Sequence, residues 1–349
     1  MIVTVVGVGL IGGSLGLAAR RSGEFTVRGV SPRARLALEA GLIDEAHDDL
    51  AEALDGADIA VVAVPASIAG EKLAEVLAAA PEGCAVTDVG STKSGVVAVA
   101  AGDERFVGGH PLAGAEVSGF EHAREGLFEE ATWYLTPTET TSGVALERVH
   151  RMVTAAGGRP TILEAAEHDR MMAAVSHLPH VFANLLVAQA AVALGERSIP
   201  VAGPSFRDAT RVAGASPELW ASIYEDNAEA LMAEIDATVA RLGEVRAALA
   251  AGDHGWLQSW QEAAAGDRQR LTDEGLGGGP VSEIPVAVPN RPGVVAEIAL
   301  ALARADVSIA DMALSPAPDR RSGVITLWVP QDQAEAAGRC LAEIDLADR

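Results

Sequence analysis

An apolar run that ends in a glycine turn and restarts as an apolar helix is compatible with few folds. This chain opens with one: Met1-Ile-Val-Thr-Val-Val-Gly7-Val-Gly9-Leu-Ile-Gly12-Gly-Ser-Leu-Gly16. Gly7, Gly9 and Gly12 stand at the spacing G-x-G-x-x-G, between a strand and a helix, with a second strand following at residues 25–30. That is the context a dinucleotide site requires. Gly7 permits the tight turn, a side chain at Gly9 would block the pyrophosphate, and Gly12 lets the helix sit close on the strand. The helix N-terminus then offers unpaired N–H groups to the phosphates. Leu10 and Ile11 within the turn, and Val64-Pro65 at the end of a later core strand, complete the expected cofactor-facing set.

The position closing the second strand chooses between NAD and NADP. An Asp or Glu there accepts from the ribose hydroxyls, whereas a small residue with a nearby Arg suits a 2′-phosphate. Ser31 occupies it, followed by Pro32, Arg33 and Arg35, which leans towards NADP or dual use, the bland alternative being that the arginines are simply solvated. Further strands are expected at 58–64, an unbroken apolar run of the kind buried in a parallel sheet, and at 84–88, 106–108, 132–136 and 160–163, with a helix at 144–156. Residues 1–165 thus read as a mostly parallel α/β Rossmann domain. From 166 to 275 apolar residues recur at helical spacing, with helices expected at 167–194, 217–249 and 255–271, an all-α substrate and dimerisation domain. Leu276-Gly-Gly-Gly-Pro280 reads as a linker, and 281–349 as a small α+β domain, with strands at 284–288, 308–314 and 323–329 and helices at 294–303 and 333–344.

Composition narrows the partners. A formal net charge of −23 argues against nucleic acid or an anionic membrane, both of which need a basic surface. The N-terminus lacks a basic n-region, so no signal peptide is expected. Residues 181–195 contain Asn184 and Gln189 and are too short to span a bilayer, so they read as a buried helix in a cytoplasmic protein. Cys84 and Cys340 lie far apart and give neither a disulfide framework nor a metal pattern. Among 26 basic residues only Lys72 and Lys93 are lysine, which singles out Lys93 in a loop after a core strand.

The chemistry is expected at the carboxyl ends of the strands, where open α/β sheets bind ligands. Candidates are Ser91, Lys93, His110, Glu116, His177, His180, Arg207, Asp208 and Arg211. A loop histidine is more often structural, and a charge at a helix start is usually a cap. A nicotinamide site, a histidine after a core strand and several cations in an acidic chain together point to an anionic substrate.

Four ordered motifs carry a resemblance: Asp88-Val-Gly-Ser91-Thr-Lys93, Gly109-His110-Pro-Leu-Ala-Gly114-Ala-Glu116, Ser176-His177-Leu-Pro-His180 and Phe206-Arg-Asp208-Ala-Thr-Arg211. Together with Ser216-Pro-Glu-Leu-Trp220 and Asn227, they resemble the prephenate and arogenate dehydrogenases of tyrosine biosynthesis over about residues 1–275. The resemblance implies a homodimeric enzyme that oxidatively decarboxylates prephenate to 4-hydroxyphenylpyruvate with hydride transfer to NAD or NADP. It implies a general base in His110, a hydrogen-bonding role for Ser91, and a substrate pocket containing Lys93, Glu116, His177, Arg207 and Arg211. Arg211 would grip a carboxylate bidentately, and Arg207 stands where the family often has lysine. The segment Val286-Ala-Val-Pro-Asn290-Arg-Pro-Gly293-Val-Val-Ala-Glu297 resembles an ACT domain, a ferredoxin-like module that commonly binds amino acids. It implies an L-tyrosine effector site built from Asn290, Pro292 and Gly293 in the turn and Ser308 and Ile309 in the next strand, although such a tail can also serve only to dimerise.

The motifs leave the side chain of the substrate open, pyruvyl in prephenate or alanyl in arogenate. A β-hydroxyacid dehydrogenase would share the Rossmann-plus-helices plan, but it resembles Lys-x-x-x-Asn where this chain has His180-Val-Phe-Ala-Asn184. A non-catalytic amino-acid sensor would not need His110, Ser91 and Arg211 together.

Overall fold

The computed structural model describes residues 1–114, 119–195, 203–275, 281–291, 293–317 and 321–344. They fall into two compact units, Met1–Val187 with Val212–Ala237, and Ala188–Arg211 with Thr238–Arg349.

The first unit is built on an eight-stranded sheet in the order β3-β2-β1-β4-β5-β6-β7-β8. Its strands are β1 (Ile2–Val6), β2 (Thr26–Val30), β3 (Glu45–His47), β4 (Ile59–Val62), β5 (Ala85–Asp88), β6 (Phe106–Pro111), β7 (Thr132–Thr136) and β8 (Arg159–Ile162). The first six run parallel; β7 is antiparallel to β6, and β8 runs parallel to β7. Alternation along each strand serves two cores. Val3, Val5, Ile59 and Val61 pack with Leu15, Ala18 and Ala19 of helix Leu10–Arg21 and with Val149 and Met152 of helix Gly143–Ala155. Val6, Ala60, Val62 and Val86 pack with Leu73, Val76 and Leu77 of helix Ala66–Ala79 on the opposite face. Burial on both faces is why the central strands read as unbroken apolar runs.

The strand expected at 106–108 runs on to Pro111, because β7 pairs with its second half from Gly108↔Thr136 to Pro111↔Trp133. The Gly-Gly and Pro residues that look like breakers are carried inside this pairing. The short β3 and helices Ala34–Glu39 and Leu50–Leu54 have too few residues to show a period and are additions to the expected order.

Beyond β8 the chain is helical: Ala165–Met172, a π-helical turn Ala173–His177, and Leu178–Leu194 in one run. The helix expected at 217–249 is two, Pro217–Asp226 and Ala228–Ala251, interrupted at Asn227. Residues 181–195 correct the expectation of a buried helix, since Leu185, Leu186, Val187 and Val192 are exposed on the single chain. By length and composition alone, the whole run Ala165–Leu194 is long and apolar enough to cross a membrane.

The second unit contains helices Pro204–Thr210 and His254–Gly275 and a small sheet of β9 (Val281–Pro289), β10 (Asp311–Pro316) and β11 (Ser322–Pro330). The strands run antiparallel in the order β10-β11-β9. Helices Val294–Arg304 and Ala334–Glu343 cover one face through Ile298, Leu302, Ala337 and Leu341, against Ile325, Leu327 and Val329. Strand β10 begins at Asp311, so Ser308 and Ile309 precede it. Ser308 instead donates its amide to Gln333 Oε1 at 2.8 Å.

Candidate active site

The carboxyl edge of the sheet gathers the glycine turn, the loop after β4, the loop after β5 and the end of β6. Gly7 has φ +101°, and its amide donates to Val30 O at 2.8 Å. A Cβ on Gly12 would stand 2.1 Å from Gly7 O and 2.9 Å from Val5 Cγ1, so only glycine allows the helix its approach to β1. A Cβ on Gly9 would meet nothing within 4 Å, and no side chain caps the helix that starts at Leu10. Open space in front of uncapped N–H groups fits a pyrophosphate. Val64 packs on Gly7, and Pro65 begins helix Ala66–Ala79 beside it. Ser31 accepts from the Arg33 amide at 3.3 Å.

The loop after β5 and the end of β6 are locked together. Asp88 Oδ1 accepts from Gly109 N at 3.0 Å and Oδ2 from Gly90 N at 2.8 Å. Lys93 Nζ pairs with Asp88 Oδ2 and donates to Gly109 O at 2.6 Å. Both ends of residue 109 are thereby fixed, one position ahead of His110. Lys93 is 0% exposed, which corrects its expected role as a cation for substrate: its ammonium is already held by Asp88 and by backbone. Burial pushes that ammonium below its ordinary value, and Asp88 opposes the shift.

His110 is half-buried, and its Nδ1 lies 2.8 Å from Nε2 of His168. His168 Nδ1 in turn lies 2.8 Å from Asp169 Oδ1. Asp169 also accepts from the Lys93 amide at 2.8 Å and the Ser94 amide at 2.7 Å. Burial alone would raise the Asp169 carboxyl, but the hydrogen bonds from His168, Ser94 and Lys93 outweigh it and hold it at about 2. The carboxylate can only accept, so His168 donates to it through Nδ1, and in the neutral form of that ring Nε2 is the acceptor. Neutral His110 then donates through Nδ1, which leaves its own Nε2 with a free lone pair. The partner that orients the ring is therefore His168 and not Ser91, which sits half-buried in the loop after β5.

His177 is buried on the π-helical turn, and burial lowers it to about 4. Its Nδ1 accepts from Asn227 Nδ2 at 3.1 Å, so Nε2 carries the proton and can donate. Asn227 Nδ2 also donates to Asp169 O at 2.8 Å, tying the helix break to the same network. The ring of Trp220 stacks on His180 with centroids 3.4 Å apart and meets His177 edge-on at 6.0 Å.

Arg207, on helix Pro204–Thr210, and Arg211, which follows it, are exposed residues of the second unit. Glu116 and Pro292 lie outside the described residues. In the small sheet, Asn290 and Gly293 line a cavity of about 130 Å³ with Val288, Val294 and Leu314, whereas Ser308 and Ile309 do not. Sequence reasoning missed His168 and Asp169. The only signal available is a His-Asp pair in the first turns of a helix.

A doubly wound sheet, a glycine turn open to a pyrophosphate and a hydrogen-bonded neutral histidine on the same carboxyl edge, at the end of β6, define an oxidoreductase of the nicotinamide-dinucleotide class. Family models described as prephenate dehydrogenase, nucleotide-binding domain, and prephenate dehydrogenase, dimerization domain, match residues 15–162 and 164–262. The chain belongs to the prephenate dehydrogenase family, whose members are NAD-dependent oxidoreductases. It is 30% identical to the prephenate dehydrogenase of Bacillus subtilis over 97% of this chain and 95% of that one. The Aquifex aeolicus prephenate dehydrogenase, solved with hydroxyphenyl propionate and NAD+, is 30% identical with a TM-score of 0.70 over 78% of this chain and 98% of that one. Synechocystis arogenate dehydrogenase is also 30% identical, with a TM-score of 0.69 over 78% of this chain and 100% of its own.

Proposed function

We propose that this protein oxidatively decarboxylates prephenate to 4-hydroxyphenylpyruvate, as a cytoplasmic homodimer. The observation that carries this reading is His110 at the end of β6, held through Nδ1 so that Nε2 is free to take a proton. NAD+, held along the glycine turn, supplies the hydride acceptor. His110 takes the ring-hydroxyl proton as the carbonyl develops, which is general-base catalysis. The resulting imidazolium keeps its Nδ1–H on His168, and Asp169 balances the charge through the second ring. His177 Nε2–H donates to substrate, and Ser91 hydrogen-bonds the reacting hydroxyl. Arg211 is assigned to a substrate carboxylate, where its planar fork makes two parallel charge-assisted bonds, with Arg207 adding positive charge and Glu116 in the pocket wall. Lys93 acts at one remove, by fixing Gly109 and by adding positive charge beside His110.

Arogenate is the alternative substrate, and the Synechocystis relative favours keeping it in view. The apolar helix face at Leu185–Val192 falls within the segment matched by the dimerization-domain model, so a second copy is its assigned cover. The small sheet, with strands in the order β10-β11-β9 and two helices on one face, is assigned as an ACT-like module whose cavity at Asn290 and Gly293 takes L-tyrosine.

One set of steady-state measurements tests these assignments: prephenate and arogenate, each with NAD+ and NADP+, for wild type and His110→Asn, with L-tyrosine titrated. Prephenate with NAD+ is expected to give the higher kcat/KM. His110→Asn is expected to lower kcat by about 10²–10⁴-fold with KM for cofactor nearly unchanged. A variant with near-normal kcat removes His110 as base, and insensitivity to L-tyrosine removes the effector assignment.

A further inference from the structure

Both arginines that follow β2 are held by carboxylates. Arg35 pairs with Asp48 on open surface. Arg33 Nη2 pairs with Glu121 Oε1, and its guanidinium lies over the Phe120 ring, 4.4 Å from the centroid. Phe120 and Glu121 belong to the 3₁₀ turn Phe120–His122, far along the chain from β2. That turn is anchored on the dinucleotide helix itself. The Arg124 amide donates to Ser14 Oγ at 3.0 Å, and a Cβ on Gly13 would stand 3.1 Å from Ala123 Cβ. The helix that presents its N-terminus to the phosphates therefore also carries the segment that grips Arg33.

In a doubly wound fold the acidic residue that recognises the ribose 2′-hydroxyl of NAD lies at the end of the second strand, and an arginine nearby accommodates the 2′-phosphate of NADP. Here that strand end is Ser31, with no carboxylate of its own. We propose that Glu121 supplies the missing carboxylate from a distant element and sets the dinucleotide choice, by holding Arg33 and disfavouring NADP. A 2′-phosphate carries about 1.5–2 negative charges, and to reach Arg33 it must displace Glu121 or lie beside it. Like charges at that range are repelled. A 2′-hydroxyl makes no such demand and can donate to the carboxylate. The Glu121 carboxyl is kept below its ordinary value by a hydrogen bond from its own amide and then by Arg33, so it is ionised at neutral pH. Stacking on Phe120 restrains the guanidinium further.

The test compares wild type, Glu121→Gln and the double variant Arg33→Ala/Glu121→Gln. Two readouts are used: kcat/KM for NAD+ and NADP+, and Kd for NADH and NADPH by fluorescence titration without substrate. The binding readout stays informative whatever substrate the enzyme takes. Wild type is expected to favour the NAD forms. Glu121→Gln should tighten NADPH about 10- to 100-fold relative to NADH, the size of one charge-assisted bond, and the double variant should lose that gain. An unchanged NADPH-to-NADH ratio in Glu121→Gln, or a gain that survives removal of Arg33, overturns the proposal.

Discussion

Burial, and after it the charge of Lys93 and the neighbouring His168 and His177 rings, push the His110 imidazole well below its ordinary value, while Asp169 opposes them. The base is therefore neutral throughout the physiological range and becomes protonated only as pH falls through its depressed value. The acid limb of a kcat/KM profile is expected well below 6.5, with a plateau across neutrality; a limb at or above 6.5 contradicts it. His110 is legible in the sequence because it follows a core strand in an otherwise apolar run. Its partner is not, because His168 lies 58 residues away and the contact exists only once helix Ala165–Met172 has packed beside the sheet. Lys93 shows the converse. Its rarity marks it as worth keeping but does not say whether it faces substrate or Asp88, since a buried pair and a ligand cation look alike in one dimension.

At the scale of elements, Asp169 is the joint between helix Ala165–Met172 and the helix Ser94–Ala100, whose first amides it accepts. Its carboxyl is held at about 2, below the roughly 3.9 of an unfolded chain. A depressed value stabilises the fold above the unfolded pKa, and the contribution is lost as pH falls from about 4 through about 2. Asp169→Asn places an NH2 group where two backbone donors and His168 converge. It is expected to cost about 1–3 kcal/mol in urea unfolding at pH 7, with the difference from wild type shrinking below pH 4. A difference that does not change with pH would assign the loss to packing. The glycine turn and the parallel strands are legible because sterics and two-sided burial dictate residue types there. The helix break at Asn227 is not legible, because its cause is a carboxamide bonded to His177 and to Asp169 O, neither of them near in sequence.

At the scale of the whole molecule, the C-terminal order of strand, helix, strand, strand, helix is readable from periodicity alone, and it closes on its own core of Ile298, Leu302, Ile325, Leu327 and Val329. Its second strand is misplaced by the sequence because Ser308 gives its amide to Gln333 at a helix entrance, and Ile309 packs on the core ahead of the strand that begins at Asp311. The sealed Lys93 has a consequence for handling the protein. With lysine at only two positions, an acylating reagent finds the N-terminus and the side chain of Lys72, which is 30% exposed, while Lys93 is 0% exposed. Acylation of Lys93, followed by peptide mass spectrometry, is expected only when the molecule opens, so its rate is a built-in clock of opening events. NAD+ binds the closed form and should slow that clock while leaving Lys72 untouched. Equal labelling of both lysines in the native protein would show that the clock does not exist.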